Sequence, residues 1–154
     1  MTKQAENQFR ESIHRHLDRS LIHQEKTNNP FRSGMFDDWY SARPNDLWVE
    51  YKYQPKTASI NLATSSSPSL SALQYHWGHQ RFLEGRNVAV IVGMPYGGVI
   101  LRHSEWRKKL SILDVEARII KRKEIAQIIT TFVTSPVAAV RNMELWEALN
   151  ELAG

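Results

Sequence analysis

Apolar residues recur at a spacing of four near the start of the chain. Phe9, Ile13 and Leu17 follow this spacing, and charged residues lie between them. The spacing is typical of an amphipathic helix with one buried face and predicts a helix over 5–18. Residues 21–26 are compatible with a first strand, and the Asn, Pro, Ser and Gly residues after them predict a loop.

Two aromatic-rich runs, 35–42 and 47–53, come next. The residues between them include Pro44 and Asn45, which favour a turn. The pattern therefore predicts a β-hairpin. The segment 57–69 is rich in Ser and Thr and low in charge, and we expect a flexible loop there.

A helix and a buried strand are predicted after this loop. Residues 71–84 carry spaced apolar side chains, and Gly85 follows where a helix would end. Residues 88–92 are almost wholly apolar and mostly β-branched, which is typical of a strand buried on both faces. After a turn, residues 99–101 are expected to return beside it as an antiparallel strand.

The last third of the chain is predicted to be mostly helical. We expect a strand over 115–120, a helix over 123–133 and a last helix over 135–152, which Ser135 and Pro136 would begin. The order of helix, strand, hairpin, helix, strand, strand and helical tail indicates a mixed α/β (α+β) core. The chain of 154 residues is expected to form a single domain.

Composition narrows the range of chemistry. The chain has no Cys, which excludes disulfides, thiol nucleophiles and thiolate metal sites, so a metal ion would need oxygen or imidazole ligands. Apolar runs are short and the first residues are polar, so we expect a cytoplasmic protein that does not bind a membrane. The net charge of +4 is compatible with a polyanionic partner.

The predicted hairpin brings acidic and basic side chains together. Glu50 and Lys52 are two positions apart on one strand and therefore project from the same face. A hairpin that closes at Pro44 would place Asp37 or Asp38 roughly opposite Glu50. Two carboxylates and a lysine suit hydrolysis of a phosphodiester with Mg²⁺, because carboxylates hold the ion and the ion activates water. A solvated ion pair is the common alternative for Glu-x-Lys on a strand.

These residues resemble the PD-(D/E)xK nuclease superfamily, whose core is a restriction-endonuclease-like αβββαβ fold with a mixed central sheet. In that resemblance Asp37 is the motif aspartate, and Glu50-Tyr51-Lys52 is the (D/E)xK element. The helix after the hairpin is similar to the Gln-x-x-Trp helix of VRR-NUC-type and Holliday-junction-resolvase-like members, with Gln74 as its glutamine. The resemblance implies a core over about 5–102 and a helical C-terminal extension over 103–154.

The chain departs from the superfamily pattern at the aspartate. The superfamily has Pro before it, whereas this chain has Phe36, and Asp38 follows Asp37 directly. Asp38 and Asp46 are therefore alternative metal aspartates. Asp37 is preferred to Asp46 because Asp46 would lie on the same strand as Glu50.

The resemblance implies a Mg²⁺- or Mn²⁺-dependent endonuclease. Asp37 and Glu50 would bind the metal ion, and Lys52 would orient or stabilise the reacting groups. Gln74 would support the site from its helix, and Glu6 in the opening helix would add a carboxylate. The substrate would be DNA, with selectivity for branched or junction structures, and many compact relatives come from phages. A homodimer is the arrangement that two-fold DNA enzymes require.

Contact with DNA is predicted at two places. Trp39, Tyr40 and Arg43 lie near the hairpin tip, where they would stack on bases or else belong to the core. A second, basic group would follow a phosphate backbone, although a solvated helical face explains it nearly as well. It consists of Arg102, Arg107, Lys108 and Lys109.

Two further interpretations stay open. A non-catalytic nucleic-acid-binding or protein-interaction module on the same fold would share these features, and binding of a divalent ion at the hairpin distinguishes it from a nuclease. His76 and His79 have a spacing that suits a metal ion, but the sequence shows no third ligand for them.

Overall fold

The structure, a computed structural model, describes residues 2–27, 31 and 33–135. In this part of the chain three strands follow the first helix, two strands follow the second helix, and two further helices come last. A short 3-10 helix at His103–Glu105 follows the last strand. The strands are β1 (His23–Lys26), β2 (Asp38–Ser41), β3 (Asp46–Tyr53), β4 (Val88–Met94) and β5 (Gly97–Leu101). The helices are α1 (Thr2–His14), α2 (Ala72–Leu83), α3 (Ile112–Arg118) and α4 (Arg122–Thr134).

The strands form one mixed sheet in the order β1-β2-β3-β4-β5. β3 and β4 run parallel, and the other neighbouring pairs are antiparallel. The parallel pair requires a crossover connection, and α2 supplies it. The predicted hairpin corresponds to β2 and β3, and the predicted strand over 99–101 corresponds to the end of β5.

Helices cover both faces of the sheet. α1 and α4 contribute Phe9, Ile13 and Phe132 to the core cluster on one face. The cluster on the other face contains Trp106 and Val115 and packs against side chains of α2. The sheet is therefore the middle of three layers, a helix–sheet–helix arrangement.

β4 is buried along its whole length, as its apolar sequence predicts. Val88, Val90 and Val92 belong to the cluster beneath α2. Ala89 and Ile91 belong to the cluster beneath α1 and α4. Successive side chains of a strand point to opposite faces, so only a central strand between two helical layers needs apolar residues at every position.

A predicted strand is a helix in the structure. The strand predicted over 115–120 is wrong, because α3 occupies most of that segment. Val115 and Ile119 follow helical spacing, and the Ser111 side chain caps the helix by accepting from the Asp114 backbone N–H at 3.2 Å. Ile120 forms only an isolated β-bridge with Gly98.

The opening helix lies nearer the start of the chain than expected, because α1 begins at Thr2 rather than at residue 5. α1 ends at His14 rather than at residue 18. The Leu17 backbone N–H donates to the His14 carbonyl at 3.1 Å. Leu17 is nevertheless buried, because this tighter turn keeps it against the core.

The segment 57–69 has no helix or named strand, and it is packed only in part, because residues 63–67 are exposed. Ile60 and Leu62 are buried in the cluster beneath α2.

The last helix predicted over 135–152 lies almost wholly outside the described residues. Among the helices of the described part of the chain, none combines the length and apolar character that a membrane span requires.

Candidate active site

β3 presents its polar residues to the layer that contains α2. Leu47, Val49 and Tyr51 point into the opposite core, beneath α1 and α4. Glu50 and Lys52 alternate with them and therefore point toward α2. Glu50 is buried, with only 3% of its side chain exposed, and Lys52 is 13% exposed. The shared face predicted for the two residues is confirmed, but the pair is not a solvated surface pair.

The pairing of β2 with β3 selects Asp37 as the acid opposite Glu50. Asp38 is the register partner of Val49, so the preceding residue lies beside Glu50. The Tyr51 backbone N–H donates to Asp37 Oδ2 at 2.9 Å. This hydrogen bond fixes the Asp37 carboxyl group just before the first residue of β2. The hairpin therefore brings Asp37 and Glu50 together, as the sequence predicts for one of the two aspartates.

α2 begins at this site, and its cap includes a site residue. The Ser71 side chain accepts from the Gln74 backbone N–H at 3.1 Å, and Gln74 Oε1 accepts from the Ser71 backbone N–H at 3.0 Å. This reciprocal capping box fixes the Gln74 side chain.

The fixed Gln74 amide joins the acid to the lysine. Its Nε2 donates to Glu50 Oε2, and its Oε1 accepts from Lys52 Nζ, both at 2.9 Å. Lys52 Nζ also lies 3.4 Å from Glu50 Oε2. Asp37, Glu50, Lys52 and Gln74 thus form one contiguous group, which we call the acid–lysine site.

Burial and like charge both disfavour ionised acids at this site. The pKa of Glu50 is raised well above its ordinary value, first by burial and then by the negative charges of Asp37 and Glu6, while Lys52 opposes the shift. The pKa of Asp37 is also raised, mainly by burial. The neutral forms are therefore favoured unless a cation compensates the charges.

Glu6 of α1, which belongs to the opposite helical layer, interacts electrostatically with the same group. Burial and the Asp37 charge raise the pKa of Glu6 to about 7, and Lys52 opposes this shift. Glu6 is therefore coupled electrostatically to Asp37 and Lys52, and the resemblance to nucleases implies an additional carboxylate at this place in the opening helix.

The two alternative aspartates have other partners. Asp38 is fully buried on the opposite face of the sheet and pairs with Arg10 of α1. The second Asp38 oxygen accepts from Gln24 Nε2 at 2.8 Å. Asp46 accepts from Trp39 Nε1 at 2.9 Å. Asp38 therefore links α1 to the sheet through Arg10, and Asp46 fixes the orientation of the Trp39 indole.

The residues predicted to contact bases fall in different environments. Tyr40 is fully buried, and its hydroxyl lies 2.5 Å from that of Tyr51 and 2.7 Å from His14 Nε2. Tyr40 is therefore a core residue, which corrects its proposed role in base contact. Trp39 is half-buried on the α2 side of the sheet, and Arg43 is exposed in the turn after β2.

The predicted basic group surrounds the 3-10 helix. Arg102 pairs with Glu105, with Nε 3.3 Å from Oε1. The Arg107 guanidinium lies over the Tyr75 ring, 3.7 Å from its centroid. Lys108 and Lys109 are exposed. These residues form a basic surface beside α2, and their role in DNA binding remains a prediction.

His76 and His79, whose spacing suits a metal ion, do not lie in a common site. His76 is exposed, whereas His79 Nδ1 lies 2.8 Å from His103 Nε2. Phe82 stacks on His103 with ring centroids 3.9 Å apart. His79 therefore belongs to an aromatic stack with His103 rather than to a site with His76.

The sequence assigned no role to Arg10 or Trp48, and it used Trp77 only as part of the Gln-x-x-Trp pattern. Arg10 lies four residues after Glu6, so the two side chains share one side of α1, and this spacing was a usable signal. Trp48 lies two positions before Glu50, and Trp77 lies three positions after Gln74. Both spacings place an indole on the same side of its element as a site residue.

The donor set suits a hard divalent cation. Glu50 Oε1 is buried and has no hydrogen-bond partner among the described residues. Within the same part of the chain, no three His, Cys, Asp or Glu side chains are grouped closely enough to hold a metal ion. Mg²⁺ is commonly bound by one or two carboxylates and keeps several waters, so Asp37 and Glu50 fit this ion.

A known structure shares this fold. The solved structure of Hjc, a Holliday junction resolvase from the archaeal hyperthermophile Archaeoglobus fulgidus, is similar with a TM-score of 0.54 and 14% sequence identity. The similarity covers 78% of this chain and 98% of that chain. No family model and no curated protein sequence matches this chain. The predicted restriction-endonuclease-like α+β fold with a mixed central sheet is therefore confirmed.

Proposed function

We propose that this protein is a metal-dependent nuclease that hydrolyses phosphodiester bonds of DNA. The observation that carries the proposal is the acid–lysine site, in which Asp37 and the buried Glu50 adjoin a lysine that Gln74 holds in place. The fold it shares with a junction resolvase supports the same function, although a fold alone does not establish activity.

The raised pKa values of Asp37 and Glu50 favour a role in binding or catalysis over a structural role. Two adjacent acids with raised pKa values, one of which has an oxygen without a hydrogen-bond partner among the described residues, do not stabilise the fold. Perturbed acids at one position are typical of sites that bind cations or perform acid–base chemistry. A divalent cation would favour the ionised form of both groups.

Each residue has a distinct role in this proposal. Asp37 and Glu50 would hold Mg²⁺ or Mn²⁺, and such an ion supplies activation of water and neutralisation of charge on the phosphodiester. Lys52 donates a hydrogen bond to a phosphate oxygen as negative charge develops there. Gln74 sets the position of the Lys52 ammonium group and of Glu50. Glu6 adds a further acid beside Asp37.

Branched DNA is the proposed substrate class to examine first. Hjc is a Holliday junction resolvase, and this chain shares its fold. A four-way junction has two-fold symmetry, and cleavage of two of its strands requires two active sites. We therefore propose that the active form is a homodimer.

A cleavage assay on a panel of DNA structures tests this function. Labelled duplex, single-stranded, flap and four-way-junction DNAs are incubated with Mg²⁺, Mn²⁺ or EDTA. The proposal predicts cleavage with either metal ion, no cleavage in EDTA, and loss of cleavage in Asp37→Asn and Glu50→Gln. Binding without cleavage at any metal concentration would instead identify a non-catalytic module.

A further inference from the structure

Three tryptophans form a row beside the acid–lysine site. Trp39 lies on β2, Trp48 on β3 and Trp77 on α2. Trp39 stacks on Trp48 with ring centroids 5.8 Å apart and an interplanar angle of 28°. Trp48 meets Trp77 edge to face at 5.3 Å. We call these three residues the tryptophan ridge.

The ridge differs in exposure from two large aromatic side chains of the adjacent core. Its three indoles are half-buried, whereas Phe36 and Trp106 are fully buried. Phe36 packs against Trp77 from the core side, with ring centroids 5.1 Å apart. Exposed aromatic surface that is contiguous rather than scattered commonly marks a binding site.

The position of the ridge connects it to the acids. Trp48 lies two positions before Glu50 on β3, and Trp39 lies two positions after Asp37, so both indoles share a face with the acids. Two residues of a strand span about 7 Å. A DNA strand with a phosphate at the acid–lysine site would therefore bring its neighbouring bases to the indoles.

Polar side chains contact the two outer rings of the ridge, and two of them, His23 and Arg81, also lie beside the acids Glu25 and Glu84. The hydrogen bond from Trp39 Nε1 to Asp46 fixes the first ring. His23 meets Trp39 edge to face at 5.9 Å, and the Arg81 guanidinium lies 5.4 Å from the Trp77 centroid. Stacking surfaces combined with basic groups are the features that bind single-stranded nucleic acid.

The same features argue against paired bases as the ligand of the ridge. In a duplex, each base is stacked between its neighbours, so its faces are not available to a protein side chain. Bases in single strands, flaps and the openings of branched structures present free faces, and stacking on aromatic side chains is tolerant of sequence.

We propose that the tryptophan ridge binds unpaired nucleobases of DNA next to the position of cleavage. The substrate class is then DNA with unpaired nucleotides, such as single strands, flaps and opened branch points. This inference rests on the proposed nuclease function for the identity of the substrate strand, but the binding that it predicts is measurable without cleavage.

Fluorescence anisotropy of labelled DNA in EDTA tests the ridge, because EDTA prevents hydrolysis. The ligands are an oligo-dT strand and a duplex of the same length. Trp39→Ala is expected to weaken binding of oligo-dT by about 5- to 100-fold and to change duplex binding by at most about twofold. Tyr96→Ala is the matched control, because Tyr96 is an exposed aromatic residue in the turn between β4 and β5.

A second variant keeps the test decisive if Trp39→Ala is unstable. Trp39→Leu fills much of the same space without an aromatic face and should lose binding of oligo-dT in the same way. The inference is overturned if either folded variant binds oligo-dT as tightly as the wild type, or if binding of oligo-dT and duplex falls equally. It is also overturned if the wild type does not bind oligo-dT.

The two proposals fail in different ways. If the protein binds oligo-dT through Trp39 in EDTA but never cleaves DNA with Mg²⁺ or Mn²⁺, the nuclease function is contradicted. The proposal that the tryptophan ridge binds unpaired bases would then still stand. An enzyme that cleaves with Mg²⁺, and whose binding of oligo-dT is unaffected by Trp39→Ala, would contradict the ridge and retain the nuclease function.

Discussion

The raised pKa of Glu6 makes the free energy of unfolding depend on pH. Its pKa rises from an ordinary 4.5 to about 7 in the folded protein. Between these pH values the folded state holds a proton that the unfolded state has released. This contribution to the free energy of unfolding is therefore complete below pH 4.5 and is lost as the pH rises through about 7.

The variant Glu6→Gln should remove this loss of stability. We expect its free energy of unfolding, relative to the wild type, to increase by on the order of 1–2 kcal/mol between pH 5 and pH 8, after allowing for partial exposure of Glu6. Urea denaturation at the two pH values measures the difference. Glu11→Gln, at an exposed position of α1, is the control and should give parallel curves. Parallel curves for Glu6→Gln as well would contradict the placement of Glu6.

At the scale of elements, one buried ion pair fixes α1 against the hairpin. Arg10 makes two hydrogen bonds to Asp38, one of them from Nη2 to Oδ1 at 2.7 Å, and Asp38 is fully buried. Removal of the guanidinium leaves an uncompensated buried carboxylate. Arg10→Met should therefore lower the free energy of unfolding by about 3–5 kcal/mol.

Urea denaturation compares this variant with Arg15→Met, which changes an exposed arginine just beyond the end of α1 and should have little effect. A cost below about 1 kcal/mol for Arg10→Met would place the pair among ordinary surface ion pairs. Such a result would mean that α1, and Glu6 with it, is held in place by apolar packing alone.

The packing of α2 offers a second test at this scale. A Cβ atom added to Gly78 would lie 2.4 Å from Phe36 Cζ and 2.9 Å from Trp106 Cζ3. Gly78→Ala should therefore cost about 1–3 kcal/mol through overpacking, which exceeds the gain in helix propensity. A shift of α2 would also move Gln74 from Glu50 and Lys52, so metal-dependent cleavage should fall as well. Leu83→Ala, at an exposed position of α2, should change neither quantity.

At the scale of the whole molecule, the sequence predicted the parts of the site that depend on local periodicity. Alternation along β3 places Glu50 and Lys52 on one face, and turn residues at Pro44 and Asn45 set the hairpin. The choice between Asp37 and Asp38 depended on the register of β2 with β3. Neighbouring residues of a strand point to opposite faces, so a shift of one residue would have exchanged the two acids.

Features that join distant segments could not be predicted. The pair between Arg10 and Asp38 depends on how α1 packs across the sheet, which no local pattern reveals. The segment 115–120 shows the opposite case, because its β-branched residues favour a strand whereas Ser111, just before it, is a signal for the start of a helix. The Ser111 cap and the burial of Val115 stabilise a helix there, and they outweigh the preference of the β-branched residues for a strand.

The proposed nuclease site is tested by the rate of DNA cleavage by Lys52→Ala with Mg²⁺ under single-turnover conditions. Lys52 Nζ bonds to Gln74 and lies beside Glu50, so its removal should reduce the rate by at least about 100-fold. Lys56→Ala, at an exposed position four residues along the chain, is the matched control and should retain the wild-type rate. Cleavage by Lys52→Ala at the wild-type rate would mean that hydrolysis occurs at another site and that the acid–lysine site is not the active site.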